Sequence, residues 1–277
     1  MTIHSTAVVH SRARLERNVS VGPYCVVGPD VEIKENVELA SHVVIEGKTT
    51  LHEGVRVYPF VTLGFPPQHL GYKGEETTLD IGAYTHLREH VTIHRGTLGG
   101  GGQTKIGERC LIMVGCHIAH DCHVGNDVVM ANQVVLGGHT LIEDHVVFGG
   151  LVGIQQFTRV GEGAMVGGFS ALGKDVIPYG IAIGNRGGLE GINVKKLRRL
   201  GVSKDEVMVV YNLYQWLFHT DQETFLQRVH TIPTEWMDFP IVLKIKKFII
   251  DGAHRPLCMP QKNWEEVQLL IEKELRE

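Results

Sequence analysis

An apolar residue stands at every sixth position through much of the chain. It runs without a miss from Ile3 through Val9, Leu15 and Val21 to Leu63, returns at Ile81, Leu87 and Ile93, and resumes one residue out of phase from Ile106 to Leu172. A helix would repeat its apolar face every three to four residues and a strand every two, so neither explains a period of six. A triangular coil does. Three hexads make one turn of eighteen residues, each sending its apolar residue into a narrow prism. Successive turns then stack as parallel strands about 4.8 Å apart. Glycine and small apolar residues at fixed offsets, as in VGPDVE, VGNDVV, IGERCL and LGKDVI, complete a hexapeptide-repeat signature.

Two stretches interrupt the period, GFPPQHLGYKGEETTLD at 64–80 and HRGTLGGGGQTK at 94–105. The first occupies whole hexads and leaves the phase intact, as an external loop would. The second shifts the phase, and Gly99 to Gly102 give it a flexible crossing. Excursions from a regular scaffold are where function concentrates. After Pro178 the period ends and helical patterning begins. Ser203 and Glu206 form a capping box ahead of Val207, Tyr211, Tyr214 and Phe218. Further helices are expected at 222–230, at 240–250 and in the C-terminal WEEVQLLIEKELRE. The chain therefore divides into a β-helix over 1–186 and a small α-helical domain over 187–277.

A formal charge of -4 excludes a surface built for nucleic acid, so any phosphate binding is local, with KKLRR at 195–199 the obvious cluster. No P-loop or dinucleotide fingerprint is present. The five cysteines lack C-x-x-C spacing, and no stretch approaches the ~20 apolar residues of a membrane span. These features fit a reduced, cytoplasmic protein without stable membrane insertion.

The coil also sorts the histidines of CHIAHDCHVG at 116–125. His117, His120 and His123 span a path that turns a corner every six residues, so they do not converge as metal ligands must, and no metal is expected. Cys110, Cys116 and Cys122 fall on successive faces and read as packed thiols. Most of the sixteen histidines are ordinary corner residues. His120 differs because of its column: one coil on stands Gly138, two coils on Gln156, while Asp121 leads to His139. An imidazole beside a carboxylate can take a proton from a hydroxyl. A glycine N–H in the next coil can meet a developing oxyanion. Base and oxyanion donor together imply acyl transfer.

With VTIHRGT at 91–97, HIAHDC at 117–122, GGH at 137–139, QF at 156–157, MVGG at 165–168 and GN at 184–185, the chain resembles the UDP-N-acetylglucosamine acyltransferases over nearly its full length. The resemblance implies a homotrimer of left-handed β-helices. It also implies transfer of an R-3-hydroxyacyl group from acyl carrier protein to the sugar 3-hydroxyl, the first step of lipid A biosynthesis. No cofactor is implied beyond the carrier's phosphopantetheine arm. On this resemblance His120 is the general base, Asp121 its carboxylate and Gly138 the oxyanion donor. His117, His139 and Gln156 contact acyl donor or sugar, Asn193 and Arg199 contact nucleotide or phosphopantetheine, and Gly168 limits acyl-chain length. KKLRR would then dock the acidic carrier protein or phosphates. The chain departs from the family pattern at His69 and Gly71, where an acid and a lysine are usual, and at Gln155, Arg186 and Lys195. A 3-amino sugar or another acceptor therefore stays open. So do a coenzyme A-dependent hexapeptide transferase, a γ-type carbonic anhydrase and a non-catalytic solenoid.

Overall fold

A computed structural model describes residues 1–218, 223–252 and 254–261. The sixfold pattern closes into a left-handed parallel β-helix of triangular cross-section. Its three faces are sheets of eleven, nine and eight strands among the described residues. The first face contains Arg56–Val57, Leu111–Ile112 and Val129–Met130; the second, His117–Ile118 and Val135–Leu136; the third, His123–Val124 and Leu141–Ile142. Most strands are two residues long, because a corner follows each pair.

Each hexad sends two residues inward. Ile33, Ile45, Leu63 and Ile93 carry the period of six and are fully buried, and so are Val43, Val61 and Val91, two residues before them. A fully buried side chain of this kind contributes about 1.5–3 kcal/mol, and the column repeats it coil after coil. Cys25, Cys110, Cys116 and Cys122 occupy the valine position, as packed thiols should. Their Sγ atoms donate to carbonyls one coil away, Cys116 to Ala131 O at 3.1 Å and Cys122 to Gly137 O at 3.2 Å.

Both interruptions leave the prism, and their ends lengthen the neighbouring strands. Thr62–Phe65 and Thr78–Ile81 bracket the first excursion, and Thr92–His94 and Gln103–Ile106 bracket the second. The register skips accordingly: Thr92 pairs with His117, whereas His117 pairs with Val135 at the regular spacing.

The residues after Pro178 form an antiparallel hairpin, Gly180–Ile183 with Gly188–Ile192, that prolongs the first face before any helix begins. Helices α1 (Val194–Arg199), α2 (Lys204–Phe218), α3 (Phe225–His230) and α4 (Pro240–Asp251) follow. The capping box before α2 forms as expected: Glu206 N donates to Ser203 Oγ at 3.2 Å and Ser203 N to Glu206 Oε2 at 3.1 Å. The segment after α4 returns to the last coil, where Asp175 N donates to Pro256 O and Cys258 N to Asp175 O. Asp175 is wholly buried there and accepts from Arg159 Nε at 2.6 Å and Arg255 Nε at 3.0 Å. The expected C-terminal helix lies outside the described residues.

Candidate active site

The corner between His117–Ile118 and His123–Val124 holds the dyad. Asp121 sits at the turn with φ 60°, a left-handed conformation that aspartate tolerates better than most side chains. The corner places its carboxylate under the second excursion. Asp121 Oδ1 accepts from Thr97 N at 2.8 Å, and Oδ2 accepts from Thr97 Oγ1 at 2.6 Å. His120 Nδ1 donates to the same Oδ2 at 2.7 Å, which fixes the tautomer and leaves Nε2 as the basic nitrogen. Aspartate and histidine are 3% and 8% exposed, so the pair is shielded from water on nearly every side. Glycine is required in the covering loop. A Cβ on Gly96 would lie 2.8 Å from Asp121 Oδ1, and one on Gly100 would collide with the carboxylate.

One coil on, Gly138 packs above the base. An ideal Cβ there would stand 2.7 Å from His120 Cε1 and 2.9 Å from Nε2, so the ring reaches this position only because the residue is glycine. The Gly138 carbonyl accepts from Phe157 N, whereas its N–H has no partner among the described residues. His139, stacked above Asp121 in the column, has Nδ1 3.8 Å from Asp121 Oδ2. Its ring meets His120 edge-on at 5.0 Å and lies flat on Phe157 at 4.5 Å. Burial lowers its pKa, partly offset by the Asp121 charge.

A second pair of imidazoles lies one strand away. His117 Nδ1 and Thr92 Oγ1 are 2.7 Å apart, and the His117 ring meets His94 edge-on at 5.0 Å. Burial lowers the pKa of His117, and burial with the neighbouring imidazoles brings His94 down to about 4. The wall is therefore rich in histidine yet uncharged at these two positions at neutral pH.

A cleft of about 1010 Å³ opens along the second face from this corner, large enough for a substrate of several functional groups. Its floor is the outward column His117, Val135, Gly153, Ala171, in register coil by coil. The floor passes from imidazole to small apolar side chains, and Lys174 and Arg186 stand at the far end. This is a trough for an extended, largely apolar group with an anion at one end.

His120, Asp121, Gly138 and His139 thus assemble at one point, and His117 and Gln156 line the same cleft. The other residues named from sequence lie elsewhere in the single chain. Gly168 is exposed at the corner between the first and second faces, over Gly150. Asn193 caps α1, accepting from Lys196 N at 3.1 Å and donating to Gly163 O at 3.0 Å. Arg199 ends that helix. The cluster of ligand atoms at His120, Asp121 and His139 has the size of a metal site, although Asp121 Oδ2 already accepts two hydrogen bonds there.

Sequence reasoning missed Thr97, which lies 24 residues from Asp121 and off the eighteen-residue lattice. It also missed Arg95, whose Nε and Nη2 donate to Tyr72 OH at 3.0 and 2.8 Å and whose Nη1 donates to Gly64 O. Arg95 ties the second excursion to the first, which presents Gln68 to the cleft and sets the His69 ring against His120. The signal available was the run HRGT at the point where the sixfold phase breaks.

Residues 175–258 match the model of the second domain of UDP-N-acetylglucosamine O-acyltransferase, and residues 12–47 and 103–138 match the bacterial transferase hexapeptide repeat. A protein of Rhizobium rhizogenes named acyl-(acyl-carrier-protein)–UDP-N-acetylglucosamine O-acyltransferase is 41% identical over 94% of this chain and 96% of its own. One of the same name from Caulobacter vibrioides is 46% identical over 95% and 99%. The solved structure of LpxA from Acinetobacter baumannii superposes with a TM-score of 0.88 at 37% identity, over 94% of this chain and all of the other. With a shared fold, near-complete coverage and this degree of identity, the chain belongs to the UDP-N-acetylglucosamine O-acyltransferase family.

Proposed function

We propose that this protein transfers an R-3-hydroxyacyl chain from acyl carrier protein to the 3-position of UDP-N-acetylglucosamine, the first step of lipid A biosynthesis. The observation that carries the reading is the stack of His120, held by Asp121, on Gly138. His120 Nε2 takes the proton of the sugar 3-hydroxyl as the oxygen attacks the thioester carbonyl, and Asp121 stabilises the imidazolium. The carbonyl oxygen gains the negative charge, and the Gly138 N–H donates to it. Collapse breaks the carbon–sulfur bond, and the departing phosphopantetheine thiolate takes the proton from His120. Atoms and charge balance, and no further cofactor enters.

The apolar trough of Val135, Gly153 and Ala171 suits the acyl chain, and Lys174 and Arg186 suit phosphate. His117, His139 and Gln156 contact the reacting groups. Gly168, Asn193 and Arg199 act in the assembled trimer, where a neighbour supplies the cleft's second wall. Leu111, Val129, Val147, Met165 and Ile181 form an outward, partly exposed apolar column in register on the first face, which supports a homotrimer. The basic last turn of α1, with Lys196, Arg198 and Arg199, suits acidic carrier protein. No helix among the described residues is long and apolar enough to cross a membrane; the proposed site of action is the cytoplasm.

A 3-amino acceptor is the second reading, favoured by His69 beside His120. A carboxylate at that place would hold an amine as ammonium, and an imidazole does so less. The test is a mass-resolved product assay with 3-hydroxyacyl carrier proteins, offering the 3-hydroxy and 3-amino UDP-sugars to the wild type and to His120→Ala. Transfer to the hydroxyl, reduced in His120→Ala by about 10²- to 10⁴-fold, is the expected result. Transfer to the amine alone would establish the second reading, and transfer to neither would defeat both.

A further inference from the structure

We infer that Thr97 is a positioning residue that sets the proton affinity and orientation of His120 through Asp121; the inference rests on His120 acting as the base. Thr97 is 8% exposed and reaches neither the cleft lining nor the base itself. Its two donors take one carboxylate oxygen each, N–H to Oδ1 and Oγ1–H to Oδ2. A carboxylate held at both oxygens cannot rotate, so the third bond, from His120 Nδ1, has one available direction.

The second excursion is built around this grip. Arg95 fastens the loop's entry to Tyr72 and Gly64, and Gly96 and Gly100 let its backbone close over Asp121. Below the corner, Asp121 N donates to Thr104 Oγ1 at 2.8 Å, so the residue is pinned by main chain and side chain alike. A loop whose function was only to cross from one coil to the next would need none of these contacts.

The Oγ1–H bond has a definite electrostatic effect. It draws charge from Oδ2, the oxygen that faces His120, and so weakens the stabilisation of the imidazolium. Without it, Asp121 would hold the proton on His120 more firmly, and the base would stay protonated to higher pH; the other titratable groups around the dyad, His69 from the first excursion, His139 from the next coil and His94 from the neighbouring strand, are the same in wild type and variant. Thr97→Val removes this donor while keeping the branched shape and the backbone bond. Thr97→Ser restores the donor.

The experiment compares pH–rate profiles and imidazole ¹⁵N spectra of the wild type, Thr97→Val and Thr97→Ser as full-length protein. In Thr97→Val, loss of the fixed carboxylate orientation should outweigh the firmer hold on the imidazolium and lower kcat about 10- to 100-fold on the plateau above the acidic limb, with the acceptor KM little changed. The acidic limb of its profile should move to higher pH, and Thr97→Ser should recover both properties. Its spectrum should show a raised His120 midpoint and loss of the single Nδ1-protonated tautomer. An unmoved limb and an unchanged spectrum in Thr97→Val would overturn the inference. So would equal losses in both variants accompanied by a lower Tm. If the wild type transfers no acyl group, the proposed function fails, and the ¹⁵N comparison still decides whether Thr97 controls His120.

Discussion

The imidazole of His69 meets that of His120 edge-on, with centroids 5.3 Å apart and planes at 70°. The first comes from an excursion and the second from a corner of the regular coil, so the loop completes a site that the prism alone leaves open. His69→Ala removes a group placed to touch the acceptor without touching the dyad's own bond. The acceptor KM should rise by about 3- to 12-fold, the range of one neutral hydrogen bond, while kcat changes less. Initial-rate kinetics at saturating acyl donor check this.

Gly138→Ala tests the stack from the other side. The position is outside the left-handed region, so the backbone accepts alanine, but its methyl group would meet the His120 ring at 2.7 Å. Displacing both base and oxyanion donor should lower kcat by at least about 100-fold. Far-UV circular dichroism should stay that of the wild type.

Acid should weaken the protein through His94. Its folded pKa, about 4, lies below the 6.5 of an exposed histidine, chiefly because burial disfavours the cation. Between these values the unfolded chain binds a proton that the folded chain refuses, so this contribution to stability declines as pH falls from 6.5 to 4 and is level below that. His117 and His139, shifted in the same direction, add to the effect. Replacing His94 with Gln should flatten the dependence of the urea midpoint on pH, by about one linked proton at most.

Asp175 joins the last coil to the helical segment, buried between Arg159 and Arg255. Asp175→Ala removes the fully buried carboxylate that joins two partly exposed guanidinium groups and leaves them facing each other. A loss of about 3–5 kcal/mol is expected, as for other broken buried pairs. Urea unfolding followed by tryptophan fluorescence, to which Trp216 and Trp236 of the helical segment contribute, would report it.

Thiol chemistry provides an independent check of the core. All five cysteines are buried, and burial pushes Cys110, Cys116, Cys122 and Cys258 up to about 11. Native protein should react slowly with a disulfide reagent, and five thiols should appear on unfolding in denaturant.

The fold was legible because its period is its geometry. Once Ile106 to Leu172 keep phase, adding eighteen to His120 or Asp121 names the residue above, and Gly138 and His139 stand there. Thr97 was not legible, and His69 was reached only as a departure from the family pattern, because an excursion has no lattice and its return path depends on contacts such as Arg95 with Tyr72. The hairpin at Gly180–Ile192 escaped for a related reason: its residues are too apolar and glycine-rich to separate from a coil or a helix start by period alone. Gly168, Asn193 and Arg199 were reached only by resemblance, and one chain does not bring them to His120.

The floor of the trough is written one residue per coil, His117, Val135, Gly153, Ala171, each a fixed step of about 4.8 Å from the last. Its length is consequently quantised. Inserting or deleting a whole turn beyond Gly138 would move the basic end, Lys174 and Arg186, while leaving the reacting corner untouched. Within a turn, exchanging Gly153 for a larger residue would block the path at one defined depth. A scaffold of this kind measures its ligand in discrete notches, and new reach is available to it by copying eighteen residues.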